Sequence, residues 1–430
     1  MLTREQNELL CRVEGDAPMG GIMRRHWLPA CMSEEVAERD GTPVRSRLLG
    51  ENLVVFRDSD GRLGVLSEYC LHRRASLVFG RNEECGLRCL YHGWKFDVEG
   101  NVVDMPSEAP GAAQRLGKKT RAYPGRESGG FIWIWMGPPE EMREFEPPAW
   151  APQPGIRYAI VKMWTECNWA QVLEGSIDSA HSSTLHSTNM PAAQDVYGST
   201  ATDEAWLRPS NDKAPRLQFE ATPYGFRYAA IRQPIKNPET HQYVRTTLFI
   251  APFTVLIPPN NRYNLAQMLV PIDDVNTMFY WIAWHPDPAK GITQDAWRKF
   301  CAAEVGVDID QNYRRKRTLA NNFLQDREAM KRGEWTGIKG IPAQDMAMWE
   351  SMGPITDRSE DHFGSSDLAV AQFRRMMVAA AKKYADGGPA IGTTEHVAHV
   401  KLASFEGVVP MSVDWRTLGV PGAEAPVTAK

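Results

Sequence analysis

From Val44 to Met136 short apolar runs alternate with turn-forming residues. Leu53–Phe56 and Leu63–Leu66 flank Asp58-Ser59-Asp60-Gly61, and Trp94–Asp97 runs into Glu99-Gly100 ahead of Val102-Val103. Runs of that length, bounded by Asp, Ser and Gly, predict strands joined by tight turns, so a small antiparallel β domain is expected here. Ahead of it, Thr3-Arg4-Glu5-Gln6 has the spacing of a helix capping box. Residues 137–155 hold six prolines and several glutamates, a composition that suits a linker. The expected partition is 1–141, an N-terminal helix with the β domain, and 142–430.

In the second part the pattern changes. Asn168–His186 reads as a helix. Strands are expected around Leu217–Ile231, Tyr243–Ile257 and Asn264–His285, and helical segments over Gln294–Val305 and Tyr313–Gly333. A last helix over Asp367–Tyr384 presents Leu368, Val370, Phe373, Met376 and Met377. An antiparallel sheet with flanking helices makes the fold class α+β. The tail after Gly387, rich in Gly, Pro and Ala, is expected to lie over the surface.

At 430 residues the chain is long enough for two cores. Its 49 basic and 53 acidic side chains leave a net charge of −4, so no basic surplus points to nucleic acid. Apolar runs such as Phe131–Met136 are too short for a membrane span. The start of the chain lacks a signal-peptide pattern, so a cytoplasmic location is expected. Seven cysteines, an odd number thinly spread, suit metal binding better than a disulfide framework.

Two of those cysteines are paired with histidines. Cys70-Leu71-His72 and Cys89-Leu90-Tyr91-His92 are separated by sixteen residues. A Rieske [2Fe–2S] cluster needs two thiolates on one iron and two imidazoles on the other, which two mixed Cys/His loops supply. Tyr69, Tyr91, Trp94 and Phe96 would limit solvent access, and Gly93 permits a tight turn. A structural zinc ion on the same four ligands is the alternative, although zinc motifs more often pair Cys with Cys and His with His. Cys85 has no partner histidine and reads as a loop residue.

A second constellation begins at Asn168. His181 and His186 are five residues apart, which an ideal helix turns by about 140°, so shared metal binding requires the helix to unwind there. Asp178, three residues before His181, is placed to accept its imidazole N–H. Two His and one carboxylate with open positions form the site of a non-haem Fe(II) that activates O2. The carboxylate candidates are Asp345, Glu350, Asp357, Glu360, Asp361 and Asp367. Asp345 is chosen because it follows a Pro-bearing turn among apolar residues, where a carboxylate without a partner is costly.

Taken together, Cys70-x-His72, Cys89-x2-His92-Gly93-Trp94 and Asp178-x2-His181-x4-His186 resemble the α subunits of Rieske ring-hydroxylating oxygenases. The likeness is greatest to the phthalate 4,5-dioxygenase group, which includes isophthalate and chlorobenzoate dioxygenases. It covers nearly the whole chain. The resemblance implies a Rieske domain joined to a helix-grip (START-like) catalytic domain, with Asp345 as the iron's carboxylate. It implies a homotrimer or stacked hexamer in which Asp178 links His92 of a neighbouring subunit to His181. It also implies electrons from NADH through a separate FMN and iron–sulfur reductase; this chain carries no dinucleotide fingerprint of its own.

The implied reaction is cis-dihydroxylation of a carboxylated aromatic ring by O2, with a vanillate-type O-demethylating monooxygenase as the alternative. Arg245 interrupts an apolar strand and Arg208 follows Trp206-Leu207, positions suited to holding a carboxylate. Asn168 and Ala180 complete the candidate substrate-side set. Phthalate enzymes resemble this chain but carry a second serine at the position of Ala180, which sets isophthalate or a chlorobenzoate beside phthalate as candidate substrates.

Overall fold

Asp58 shows how local chemistry builds the first half. Its Oδ1 accepts from the backbone amides of Asp60 (3.1 Å) and Arg62 (2.8 Å), and Gly61 takes φ +82°. The turn so formed pairs Glu51–Arg57 with Leu63–Ser67 in an antiparallel hairpin. The computed structural model describes residues 1–151, 155–193, 200–201, 206–260 and 262–420. It divides into two units, Val13–Phe145 and Met1–Arg12 with Glu146–Lys430.

The smaller unit holds three small antiparallel sheets. One joins Val44–Leu48, Glu51–Arg57 and Leu63–Ser67; another joins Arg81–Glu83, Gly86–Arg88, Lys95–Phe96 and Val102–Asp104. Val54, Phe56, Leu66, Leu87 and Phe96 pack beneath them into one core, and Cys70, Cys89 and Trp94 belong to it.

In the larger unit the core is an eight-stranded antiparallel sheet. Its path runs Arg157–Thr165, Thr277–His285, Asn264–Pro271, Thr254–Ile257, His241–Ile250, Gly225–Arg232 and Arg216–Thr222. The helix Trp169–Ile177 packs on the middle strands, and the helices Ile341–Ser351 and Leu368–Ala385 pack on that helix. Glu174, on its outer turn, accepts from Arg358 Nε (2.8 Å) and from Arg374 Nε and Nη2 (2.8 and 3.0 Å). These charges sit out of water but are paired and hydrogen-bonded, the condition under which burial is tolerated.

Several expectations differ from the fold. The division falls at Phe145/Glu146, and the N-terminal helix Arg4–Cys11, capped by Thr3 as its sequence suggests, belongs to the larger unit. The physical reason is its buried Asn7, which accepts from Arg358 Nη1 (3.0 Å) and donates to the Thr356 carbonyl (2.9 Å). Tyr313–Gly333 is not one helix. Tyr313, Asn322, Phe323 and Leu324 adopt positive φ, which leaves a 3₁₀ segment and the short helix Arg327–Lys331. The tail is not wholly superficial, because Phe405–Pro410 pairs with His241–Thr246 and buries Val408, Val409 and Glu406. Finally, the Pro-bearing turn before Asp345 is the first turn of the helix Ile341–Ser351, where Pro342 lacks only an amide that needs no partner. That helix is buried almost all round, so it carries no amphipathic stripe to betray it.

The approach of the two site-bearing helices depends on one missing side chain. A Cβ on Gly175 would lie 2.1 Å from Trp349 Nε1 and 2.5 Å from Cε2. Alanine in a helix gains about 1 kcal/mol over glycine, but overpacking a rigid indole costs about 1–3 kcal/mol and displaces it. Gly175→Ala is therefore expected to lower the thermal midpoint and the iron content together; an unchanged melting curve would contradict this packing.

Candidate active site and metal centres

The two Cys/His loops share one backbone plan. Cys70 donates its amide to Ala75 O (2.9 Å) and its carbonyl accepts from Arg74 N (2.9 Å); Cys89 does the same with Trp94 O (2.8 Å) and Gly93 N (3.0 Å). The fourth residue after each cysteine, Arg74 or Gly93, has positive φ (63° and 77°). A Cβ at Gly93 would stand 2.5 Å from Pro106 Cγ, so this loop needs glycine twice over.

That plan brings all four predicted residues together. Cys70 and Cys89 are buried, at 1% and 2% exposure, and the His72 and His92 rings lie 4.4 Å apart. Trp94 stacks on His72 at 4.8 Å and 5°. Burial, joined by the neighbouring Cys89, pushes the Cys70 thiol up to about 11, a cost that a bound cation removes by taking the thiolate. His72 Nδ1 is buried with no hydrogen-bond partner. Two thiols and an unpartnered imidazole nitrogen fit the donor set of a histidine-ligated [2Fe–2S] cluster.

The second site forms where a helix stops. Trp169–Ile177 ends because Asp178 turns extended (φ −84°, ψ 114°), so the helix expected to reach His186 is nine residues long. Tyr228 OH holds the Ile177 carbonyl at 2.5 Å. His181–Ser183 then makes a 3₁₀ turn, and His186 follows in a further turn. The unwinding swings the two imidazoles toward each other, with ring centroids 5.2 Å apart at 81°.

Asp345 meets them from the Ile341–Ser351 helix. Its Oδ1 is 3.0 Å from His186 Nε2 and 3.5 Å from His181 Nε2. One ligand atom from each of the three residues lies within 4.8 Å of the others, close enough to share an ion. Asp178 Oδ2 stands 3.4 Å from His181 Nδ1, and its Oδ1 accepts from Ala180 N at 2.7 Å. Burial acts to raise the Asp178 carboxyl, but the bond and charge of His181 outweigh it and hold the carboxyl below its usual range. Sequence reasoning missed Gln344, whose Oε1 lies 2.7 Å from His186 Nδ1. Its only signal was its place beside Asp345.

The three candidate ligands open on a cavity walled also by Ser182, Arg245, Trp206, Gln267 and Trp281. Arg245 pairs with buried Glu406 (3.4 Å) and donates to Ser182 Oγ (3.4 Å). Burial acts to lower the Arg245 guanidinium, but Glu406 outweighs it and the net direction is up. Arg208 is placed behind the wall, donating to Ser182 Oγ (3.2 Å), Ser182 O (3.3 Å) and Ser183 Oγ (3.4 Å). A third arginine, Arg232, was not anticipated; it donates to Ser179 O (2.7 Å) and Ser183 Oγ (3.3 Å).

Like Arg208, two more expected substrate-side residues, Asn168 and Ala180, are not in the cavity wall. Asn168 caps the Trp169–Ile177 helix through Ala170 N (3.0 Å), and its Nδ2 donates to Cys11 O and Asp274 O. Its donors and its cap are thus committed to structure. Ala180 donates its backbone amide to Asp178 Oδ1 (2.7 Å).

Comparison with known proteins agrees with this layout. Residues 26–124 match the family described as Rieske [2Fe-2S] domain, and residues 134–429 match LigXa C-terminal domain like. The chain is 58% identical over 417 residues to the phthalate 4,5-dioxygenase oxygenase subunit of Pseudomonas putida, covering 97% of this chain and 94% of that protein. It is 36% identical over 433 residues to the 3-chlorobenzoate-3,4-dioxygenase oxygenase subunit of Comamonas testosteroni, covering 97% and 98%. The crystal structure of dicamba monooxygenase bound to dicamba superimposes with a TM-score of 0.58 at 18% identity, covering 84% of this chain and 98% of that one, a likeness of fold.

A cluster and a mononuclear ion together amount to about three irons per chain. Asp345→Ala is expected to lower this to about two while the rhombic EPR signal of the reduced cluster persists. Retention of the third iron would remove Asp345 from the ligand set.

Proposed function

This chain belongs to the Rieske non-haem iron ring-hydroxylating oxygenases, and on that premise we propose that its substrate is an aromatic ring bearing two carboxylates. It is the oxygenase component of a multicomponent aromatic-ring dioxygenase, which uses O2 and receives electrons from a separate reductase. No described helix is long and apolar enough to cross a membrane. When bound, the cluster supplies single electrons, and the iron held by His181, His186 and Asp345 binds and activates O2.

The protein's own part is positioning and charge. The observation that carries the substrate reading is the arginine cluster. Arg208, Arg232 and Arg245 are 6%, 3% and 7% exposed, and Glu406, at 5%, is the buried carboxylate paired among them. Within this cluster three positive charges less Glu406 leave an excess of two; the other carboxylates of the cavity, Asp178 and Asp345, are committed to the histidines. Burial first, then repulsion from Arg245, lowers the Arg232 guanidinium to about 10, which leaves it protonated at neutral pH. An uncompensated buried charge costs several kcal/mol, so a dianion answers the excess better than a monoanion does. Arg245 and Ser182 face the cavity and are the contacting groups; Arg208 and Arg232 hold the serine-bearing turn and add field. Apolar Trp206, Trp281 and Ile257 offer the ring a flat dry wall, which helps to exclude water.

Asp178 holds His181 in the tautomer that keeps Nε2 free for a metal. In line with the family resemblance, it is also proposed as the link to His92 of a neighbouring subunit. That role makes a homotrimer or a stacked hexamer the working unit, supplied by an NADH-dependent FMN and iron–sulfur reductase in the cytoplasm.

With reductase, NADH and O2, phthalate or isophthalate is expected to turn over with kcat/KM roughly tenfold or more above that of 3-chlorobenzoate, about 1.4 kcal/mol. The expected product is a cis-dihydrodiol. Preference for the monocarboxylate would overturn the charge argument, and demethylation of a methoxylated ring with release of formaldehyde would favour a monooxygenase. Arg245→Ala removes the cation beside buried Glu406, which keeps the Tyr243 hydroxyl, so it is best combined with Glu406→Gln. The pair is expected to weaken dicarboxylate binding by about 2 kcal/mol or more, roughly 30-fold in Kd, with iron content unchanged. Unaltered affinity would exclude Arg245 as the carboxylate clamp.

A further inference from the structure

Gln344 precedes Asp345 in the Ile341–Ser351 helix and is 1% exposed. Its Nε2 donates to the backbone carbonyl of Ile338 (2.9 Å) and to Asn189 Oδ1 (2.9 Å). A backbone carbonyl can only accept, so the Ile338 contact assigns the nitrogen of the amide to that side. Oε1 is then the atom 2.7 Å from His186 Nδ1. An amide oxygen also can only accept. The proton of a neutral His186 must therefore sit on Nδ1, and the lone pair on Nε2, the atom 3.0 Å from Asp345 Oδ1.

Two consecutive residues thus address opposite nitrogens of one imidazole. Gln344 takes the N–H, and Asp345 shares the point toward which the lone pair is directed. The chain closes on itself, since Asn189 lies three residues beyond His186 in the same loop and its carbonyl accepts from Trp206 N at 2.7 Å. His181 is held differently, by the Asp178 carboxylate at 3.4 Å. One ligand histidine is oriented by an anion and the other by a neutral amide, which fixes the ring without adding charge to a site already holding Asp345.

We propose that Gln344 is a positioning residue that locks His186 in its Nδ1–H tautomer and thereby sets the metal affinity of the site. The proposal rests on the mononuclear iron site of the function given above. Partners of this kind typically contribute 10- to 100-fold in metal affinity.

The test uses the full chain with its cluster intact, treated with a chelator to remove mononuclear iron and then titrated with Co(II) alone, followed by visible absorption. Wild type is expected to bind one Co(II) per chain at this site. Gln344→Leu is expected to raise Kd by about 10- to 100-fold, with circular dichroism and the cluster EPR signal unchanged. Gln344→Glu keeps an oxygen facing His186 Nδ1 but, when ionised, gives up the donor to Ile338 O and Asn189 Oδ1 and adds a charge, so it is expected to recover only part of the affinity, with a Kd clearly below that of the leucine variant. Where leucine disturbs the fold, Gln344→Met fills the same space without an acceptor and carries the same expectation. Wild-type affinity in the leucine or methionine variant would overturn the proposal. So would equal losses in the glutamate and leucine variants, which would reduce Gln344 to a space-filling group. If wild type and His186→Ala show the same lack of Co(II) uptake, the iron site itself fails, an outcome distinct from a failure at Gln344.

Discussion

The larger unit is organised around one demand: two imidazoles and a carboxylate must converge on a point inside the protein. Each is a polar group withdrawn from water, and each is tolerable there only with partners. The partners come from segments far apart in sequence. A helix that stops at Ile177 presents His181 and His186 on unwound chain, and a helix more than 150 residues later presents Asp345. The glycine at 175 lets Trp349 lie directly against the first helix, and Tyr228 pins the carbonyl at which that helix ends. The convergence of the three side chains is thus a property of a helix–helix contact before it is a property of the residues themselves.

The charges buried in this unit divide into two kinds. Glu174 with Arg358 and Arg374, and Glu350 with Arg315, are carboxylates answered by guanidinium groups and bonded to them. Such pairs hold elements in register, and breaking one leaves an uncompensated charge at a cost of about 3–5 kcal/mol. The group around Arg208, Arg232 and Arg245 is different, because among the described residues Glu406 is the one carboxylate paired within a cluster of three cations. A fold that balances its other buried arginines but leaves a positive excess beside a cavity has set that excess toward something that enters the cavity. Geometry, charge and the proposed dicarboxylate therefore point the same way.

Local motifs were read most accurately. Both Cys/His loops are set by turn chemistry within six residues, and the structure repeats the same pair of backbone hydrogen bonds in each. The Thr3 capping box and the hairpin at Asp58 are equally local. Misreadings occurred where burial replaced periodicity. The helix bearing Asp345 is buried almost all round, polar residues included, so its pattern contains no face to detect. Tyr313–Gly333 shows the converse, an apparently helical stretch interrupted by four residues in the left-handed region. Asn168 looked like a polar group available to substrate, yet its hydrogen bonds close a helix end and tie down the N-terminal helix and the 273–276 turn.

The amino-acid sequence by itself determined the kind of chemistry. Mixed Cys/His loops, a His-x4-His pair and buried-looking arginines restrict the metals and the substrate charge, because ligand identity is a property of side chains and short spacings. Tertiary structure brings Asp345, already chosen from the sequence, beside the histidines, and it alone decided which arginine faces the cavity and that Gln344 and Glu406 lie at the site. Those assignments depend on contacts across more than 150 residues, and they are settled by the packing of whole elements that share one core. No local pattern encodes such contacts, because the same glutamine or glutamate would read as an ordinary surface residue until the sheet and its helices close around it.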